Sequence, residues 1–370
     1  MTETALAIYT ILLGAGTMLF ATPFLRYFID KTERKIILKG MIPKNIKSVR
    51  FTPEIEEQIN NYNPDNISEV YRDSVKLFLE RIEKNFDKDS LKFLRRNISS
   101  LSVSKYNEVN RLKYRASEET GAAYWVKENK VIIYEYDDIL ISIFHELLHM
   151  SSSMYKDGIN YSGFSQTGPR NFRIGNGLNE GYTQLLCKRY FSDQKINNSY
   201  PYFVHYAKLL ERIVGKDRMQ SYYMSADLRS LIEDLKQYSS EEEIMRFINN
   251  LDFIFFEVGY FTSENHLIRE ELTNIMQEIN TFIVNAFIEK YKDSTIRFYE
   301  SGQFDKMIKS KEEFNELIKK VIDKTFDSYT FFKEHKYECS VRDEKHLEEF
   351  ERHIDEAWES IESIMQSKSI

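Results

Sequence analysis

Apolar side chains repeat along the chain at two different spacings. Between residues 69 and 86 they recur every three or four positions, which is typical of an amphipathic helix. Two shorter runs, 123–126 and 131–134, are rich in aromatic and β-branched residues, and the short polar segment between them suits a turn. The pattern therefore predicts a helical stretch over about residues 52–101, followed by a β-hairpin.

Helices are expected over most of the remaining chain. Asp137 or Asp138 is placed to cap a helix that continues to about Met150. Residues 151–176 are rich in Gly, Asn and Ser and are expected to form a loop, and a second helix is expected to begin near Leu178. Further helices are predicted over residues 202–214, 226–237, 241–251, 264–291, 311–326 and 344–366.

Composition supports a folded protein that is mostly helical. Hydrophobic residues make up 42% and charged residues 29% of the 370 positions, as in globular proteins. Gly and Pro are few, at 13 and 6, which favours long helices over a β-sandwich. We therefore expect an α+β fold in which a small sheet packs on a helix.

The chain begins with a long uncharged segment. Residues 5–25 carry no charged side chain and are long enough to cross a bilayer as a helix. Basic residues follow it closely: Arg26, Lys31, Arg34, Lys35 and Lys39. Because positive charge favours the cytoplasmic side, we expect a single N-terminal membrane anchor with the rest of the protein in the cytoplasm. The alternative is a buried or amphipathic helix packed on the folded domain.

Charge argues against nucleic-acid binding, and cysteine content argues against a disulfide-stabilised fold. The net charge is −7, and no block of basic residues carries interleaved aromatics, so nucleic-acid binding has no electrostatic support. Cys187 and Cys339 are too scattered for a disulfide framework or a CxxC motif. They are expected to be ordinary thiols in a reducing compartment.

Residues 145–149 read His-Glu-Leu-Leu-His, the pattern HExxH. Residues four apart on a helix lie on one face, so His145 and His149 can bind the same ion, and neutral imidazole suits zinc. Glu146 projects beside them and can take a proton from the attacking water, whose pKa a bound zinc lowers. The alternative is a buried helix with two unrelated histidines.

A third ligand is available at Glu180, within the run Gly-Leu-Asn-Glu-Gly-Tyr at 177–182. A catalytic zinc site has three protein ligands and one open position, and HExxH supplies two of them. The glycine-rich segment before Glu180 gives the chain room to return to the histidines. We therefore expect one Zn²⁺ per chain, held by His145, His149 and Glu180.

HExxH followed by Asn-Glu-Gly resembles the gluzincin branch of zinc metallopeptidases, over roughly residues 121–190. The resemblance implies a zincin-like fold, in which a small sheet packs on the active-site helix and a helical C-terminal subdomain follows. The expected domain order is a transmembrane anchor (1–30), a helical N-terminal region (31–120), a zincin-like catalytic domain (121–300) and C-terminal helices (301–370).

The chain departs from the gluzincin pattern one helical turn after Glu180, where gluzincins often carry an Asp that hydrogen-bonds a histidine ligand. Gln184 stands there, and its carbonyl can accept the imidazole N–H, with Asn179 as a second candidate. A peptidase also needs a donor for the oxyanion, and Tyr202 and His205 are candidates. For His205 the alternative is a structural histidine.

These residues predict zinc-dependent hydrolysis of peptide bonds in a peptide or protein substrate, with Glu146 as the base, by a membrane-anchored enzyme. Two other functions fit the same residues. One is zinc-dependent hydrolysis of a non-peptide amide. The other is an inactive, membrane-tethered zinc-binding module, which would have no use for Glu146.

Overall fold

The structure is a computed structural model that describes residues 64–109, 113, 121–134, 139–169, 172–194, 200–257, 266–326 and 344–367. In the first half the elements are α1 (Arg72–Asn85), α2 (Lys92–Ile98), β1 (Ser102–Lys105), β2 (Ala122–Trp125), β3 (Lys130–Ile133), α3 (Ile139–Ser151), β4 (Ser153–Lys156), β5 (Ile159–Ser162), β6 (Ser165–Thr167) and β7 (Arg173–Ile174). Helices follow: α4 (Asn176–Tyr190), α5 (Pro201–Val214), α6 (Lys216–Met224), α7 (Leu228–Leu235), α8 (Glu241–Glu257), α9 (His266–Glu300), α10 (Lys311–Phe326) and α11 (Glu344–Ser367).

The first sheet has three strands in the order β1–β3–β2. Strands β2 and β3 form the predicted hairpin and pair antiparallel, with Tyr124 opposite Val131. Strand β1 was not predicted, and it pairs parallel with β3, with Val103 opposite Val131. Val103, Val131 and Ile132 are fully buried, and α3 packs against β2 and β3. The sheet therefore supports the helix that carries HExxH.

The segment predicted to be a loop, 151–176, contains a four-stranded antiparallel sheet in the order β4–β5–β6–β7. Its strands are two to four residues long. Left-handed residues lie between them, among them Asp157 (φ 52°) and Gly163 (φ 53°). The prediction was wrong because Gly, Asn and Ser are also the residues of tight hairpin turns, and strands this short leave little periodicity.

The helices after residue 200 agree with the prediction, except that α6 was not predicted and that α8 and α9 extend further. The long helix α9 packs against α5, α8, α10 and α11, and α4 packs against α5 and α8. The fold is therefore α+β and mostly helical, with two small sheets, as expected in outline. The predicted domain boundaries stay predictions.

The prediction of a membrane-anchored protein is corrected by the structure. Among the described residues, no helix is long and apolar enough to cross a membrane. The uncharged segment 5–25 and the basic residues that follow it lie outside the described residues, as do Asp137 and Asp138. The cytoplasmic placement was inferred from the anchor alone and is withdrawn with it.

Candidate metal centre

Helix α3 carries both histidines of the HExxH motif. Its apolar side chains from residue 143 onwards are fully buried: Ile143, Phe144, Leu147, Leu148 and Met150. His145 and His149 lie on another face, and their ring centroids are 4.7 Å apart. Asn97 of α2 holds the last turn, because its side-chain amide donates to the carbonyls of Met150 and Ser153 at 2.8 Å each. The helix is therefore fixed along its apolar face and at its C-terminal end.

Helix α4 carries Glu180 and lies very close to α5. A Cβ atom at Gly181 would lie 2.4 Å from the carbonyl carbon and the carbonyl oxygen of Phe203. Only glycine permits this approach of the two helices, since any side chain would meet backbone atoms. The glycine that follows Glu180 thus has a packing role, and Glu180 itself is turned towards α3.

His145, His149 and Glu180 meet between α3 and α4, with one possible ligand atom from each lying within 4.8 Å of the others. The Glu180 carboxylate is 2.9 Å from Nε2 of His145 and 3.4 Å from Nε2 of His149. The two Nε2 atoms are 3.0 Å apart. We refer to these three residues as the triad. No other trio of His, Cys, Asp or Glu in the described part of the chain comes together in this way.

The triad suits zinc by its chemistry. Two imidazole nitrogens and a carboxylate oxygen are ordinary zinc ligands, and three protein donors leave one coordination position open. Both histidines are buried, at 8% exposure each. Gln184 fixes His145 further, since its Oε1 lies 3.2 Å from Nδ1 and accepts that N–H, which leaves Nε2 for a metal. The residue at the departure from the gluzincin pattern therefore contacts a histidine of the triad.

Nδ1 of His149 has a different environment. It lies 3.5 Å from Oγ of Ser162 and 3.3 Å from the side-chain nitrogen of Asn179. The amide oxygen of Asn179 accepts the backbone N–H of Phe164 at 3.1 Å, so its NH₂ group is the part that faces His149. The oxygen available to accept an N–H from His149 is therefore that of Ser162, at the end of β5, and not that of Asn179.

Charges in the triad shift the pKa values of its members in opposite directions. Burial lowers the pKa of His145, but the hydrogen bond and charge of Glu180 outweigh burial and leave that pKa raised. Burial raises the pKa of Glu180, but the two histidines outweigh it and hold that pKa well below its usual range. The carboxylate stays charged, and a metal ion that binds here replaces a proton between these groups.

Glu146 is held beside the triad by the first sheet. Its Oε2 atom accepts the backbone N–H of Tyr124 in β2 at 2.7 Å. Burial raises the pKa of Glu146 above its ordinary value of 4.5, against the opposing charges of His149 and His145. The carboxyl group therefore takes up a proton more readily than a solvated glutamate does.

The two residues predicted to donate to an oxyanion lie on α5 among other aromatic rings. Tyr202 is buried against Phe203 and Tyr206, with ring centroids 5.5 and 4.8 Å away. The ring of His205 packs on Tyr206 at 5.2 Å. These are surroundings of core side chains, and the role predicted for Tyr202 and His205 stays a prediction.

Tyr200 is an aromatic residue that contacts the triad and that was not predicted from the sequence. Its ring centroid is 5.9 Å from that of His145 and 6.0 Å from that of Phe255. The charge of Glu180, followed by burial, raises the pKa of Tyr200, so its hydroxyl keeps its proton. Tyr200 has left-handed backbone angles (φ 57°, ψ 39°) just before Pro201, the first residue of α5. The proline marks the helix start in the sequence, but nothing there ties this turn to His145.

Comparisons with known proteins add no relative of this chain. No family model matches it, and neither a curated protein nor a solved structure does. The gluzincin resemblance accordingly rests on the HExxH motif and on the Asn-Glu-Gly run that contains Glu180.

Proposed function

We propose that the chain is a zinc-dependent peptidase of the gluzincin type, with one Zn²⁺ held by His145, His149 and Glu180. The observation that carries the proposal is the meeting of three ligand atoms within 4.8 Å, from two separate helices. A helix with two unrelated histidines would have no reason to be matched by a half-buried glutamate from another helix. Gln184 supports the same assignment by orienting His145.

The proposal includes a zincin-like fold, in which a small sheet packs on the active-site helix and helices follow. The packing of β2 and β3 against α3 and the helical second half of the chain support it. Among the described strands, β2 lies at an edge of its sheet. An extended peptide can add to such an edge through backbone groups other than the Tyr124 N–H, which already bonds Glu146, and this favours a peptide over a small amide as the substrate.

When bound, zinc supplies Lewis acidity, which lowers the pKa of a water molecule and polarises the scissile carbonyl. Glu146 takes the proton of the attacking water and passes it to the leaving amine. The N–H of Tyr124 holds Oε2 of Glu146, which leaves Oε1 as the atom that receives the proton.

Tyr200 is the residue we assign as donor to the oxyanion. Its ring lies against His145, and a tyrosine hydroxyl is protonated at neutral pH and able to donate. Tyr200→Phe should lower kcat by about 100-fold, the usual effect of losing one oxyanion donor, and leave the zinc content unchanged. Tyr202→Phe is the matched control. An equal loss of kcat in both variants, or a loss in Tyr202→Phe alone, would contradict the assignment of Tyr200. The donor would then be sought among the α5 candidates, Tyr202 and His205.

The proposal is tested on the full chain by measuring zinc content and cleavage of a peptide library. Glu146→Gln should keep about one zinc per chain and lose hydrolysis, because only the proton acceptor is removed. Glu289→Gln in α9 is the matched control, since Glu289 pairs with His353 and Lys292 and should affect neither quantity. Loss of zinc in Glu180→Ala would support the third ligand.

The outcomes separate the alternatives. A parent protein that binds zinc and cleaves small amides but no peptides would be the non-peptide hydrolase. A parent protein that binds zinc and hydrolyses neither peptides nor small amides would be a binding module. Absence of zinc from the parent would overturn the metal centre and the peptidase with it.

A further inference from the structure

Asp252 in α8 is a buried carboxylate outside the triad, with 4% exposure. Its Oδ2 atom accepts the backbone N–H of Gly175 at 2.6 Å, and its Oδ1 atom accepts that of Gly177 at 2.9 Å. These two amides flank Asn176, the first residue of α4. The first amides of a helix have no partner within the helix and attract negative charge. One carboxylate from α8 thus fixes the start of the helix that carries Glu180.

The start of α4 has little space in which to move. A Cβ atom at Gly177 would lie 2.7 Å from the carbonyl oxygen of Leu251, the residue before Asp252. At Gly175, a Cβ atom would lie 2.1 Å from the carbonyl oxygen of Phe164. The first turn of α4 is therefore held between Leu251 of α8 on one side and Phe164, the residue before β6, on the other.

We propose that Asp252 is a positioning residue for Glu180 and that it sets the metal affinity of the triad. The inference rests on the zinc site proposed above. Glu180 lies about one helical turn after Asn176, so a tilt or fraying of the first turn of α4 displaces its carboxylate. Ligand distances in zinc sites are held to within about 0.2 Å, so the affinity responds to shifts that hardly change the fold.

Asp252→Asn is the variant that isolates this role. The amide keeps the shape of the carboxylate but has one oxygen, so one of the two backbone N–H groups would face an NH₂ group. We expect the zinc Kd of the full chain to rise by about 10-fold, the lower end of the effect of losing a group that hydrogen-bonds a metal ligand, because Asp252 acts on Glu180 through the backbone of α4. The Kd is measured by competition with a chromophoric chelator, and the absorption spectrum of the Co²⁺ form reports the ligand geometry.

Asp227→Asn is the matched control. Asp227 caps α7 in a similar way, because its carboxylate accepts the backbone N–H of Ser230 at 2.9 Å and the Ser230 hydroxyl at 2.6 Å. Helix α7 carries no member of the triad. This control should lower the Tm without changing the zinc Kd or the Co²⁺ spectrum, which is also what a purely structural role of Asp252 would give.

Gly177→Ala provides a second route if Asp252→Asn does not fold. Alanine favours helix over glycine, but its Cβ would press on the carbonyl of Leu251 and shift the start of α4. It should weaken zinc binding with Asp252 intact. If the parent binds about one zinc and either variant, Asp252→Asn or Gly177→Ala, binds zinc with the parent's Kd, this inference is overturned while the proposed function stands. A parent that binds no zinc would overturn the proposed function as well.

Discussion

The two helices that carry the triad are held in place by different means. Helix α3 is apolar on the side away from the triad, and it packs with buried Leu and Ile side chains against the first sheet. Helix α4 is more polar and places Asn179, Thr183 and Gln184 in buried positions. Its closest packing is between backbones, at Gly177 and Gly181.

This difference determines which changes each helix tolerates. A core of flexible side chains can relax partly around a smaller residue, at the cost of a cavity. A contact between two backbones cannot relax around an added atom, because neither partner has a rotamer to change. We therefore expect α3 to be sensitive to lost volume and α4 to be sensitive to added volume.

The largest expected effect is that of a lost side chain in α3. Leu147 is fully buried, and Leu147→Ala should lower the free energy of unfolding by about 2–5 kcal/mol through lost burial and a cavity. Val70→Ala is the control, since Val70 is 54% exposed and the change should stay within about 0.5 kcal/mol. Urea unfolding measures both, and equal effects would mean that α3 is not held by its apolar face.

The second prediction concerns the link between the two helices, the pair Glu180 and His145. Because the pKa of Glu180 is lowered, its contribution to stability is present above the ordinary 4.5 and is lost as the pH falls. Because the pKa of His145 is raised, its contribution is complete below the ordinary 6.5 and is lost as the pH rises through the raised value.

In metal-free protein, Glu180→Gln should therefore lose most stability relative to the parent between pH 4.5 and pH 6.5. The loss should be on the order of 1.5–3 kcal/mol, as for a hydrogen bond between charged groups. Urea unfolding with a chelator, at pH values below, within and above this range, measures it. Glu233→Gln is the control, as it breaks only surface ion pairs. A difference independent of pH would contradict the proposed link.

The smallest expected effect is that of an added methyl group in α4. Gly181→Ala should lower the free energy of unfolding by about 1–3 kcal/mol, because the Cβ would meet the backbone of Phe203. Intrinsic propensity alone predicts the opposite sign, a gain of roughly 1 kcal/mol for alanine in a helix. The sign measured by urea unfolding decides whether α4 depends on close backbone approach.

The sequence was informative about the fold where periodicity is strong. The hairpin of β2 and β3 and the helices after residue 200 other than α6 could be predicted, because apolar spacing and β-branched runs report local structure. Strand β1 was missed because its partner β3 lies beyond a long connection, and the parallel pairing leaves no local signal. The sheet β4–β7 was missed because its strands are short and polar.

The candidate site could be predicted only as far as its motifs reach. HExxH fixes the spacing of His145 and His149, and the Asn-Glu-Gly run singles out Glu180. Tyr200 is one of 24 tyrosines, and only the three-dimensional structure brings it to His145. Asp252 lies on a helix with no motif, and its hydrogen bonds to Gly175 and Gly177 depend on how α8 packs against α4.

The hairpin of β4 and β5 reaches from the surface to His149, a residue of the triad. At its tip, Lys156 and Asp157 are exposed. At the other end of β5, Ser162 lies beside Nδ1 of His149. A fluorescent dye attached at Lys156 would sit outside the site and yet on the same hairpin as a residue that touches a proposed ligand. If the triad binds zinc as proposed, Lys156 is a position for an optical sensor of metal occupancy that leaves the three proposed ligands untouched.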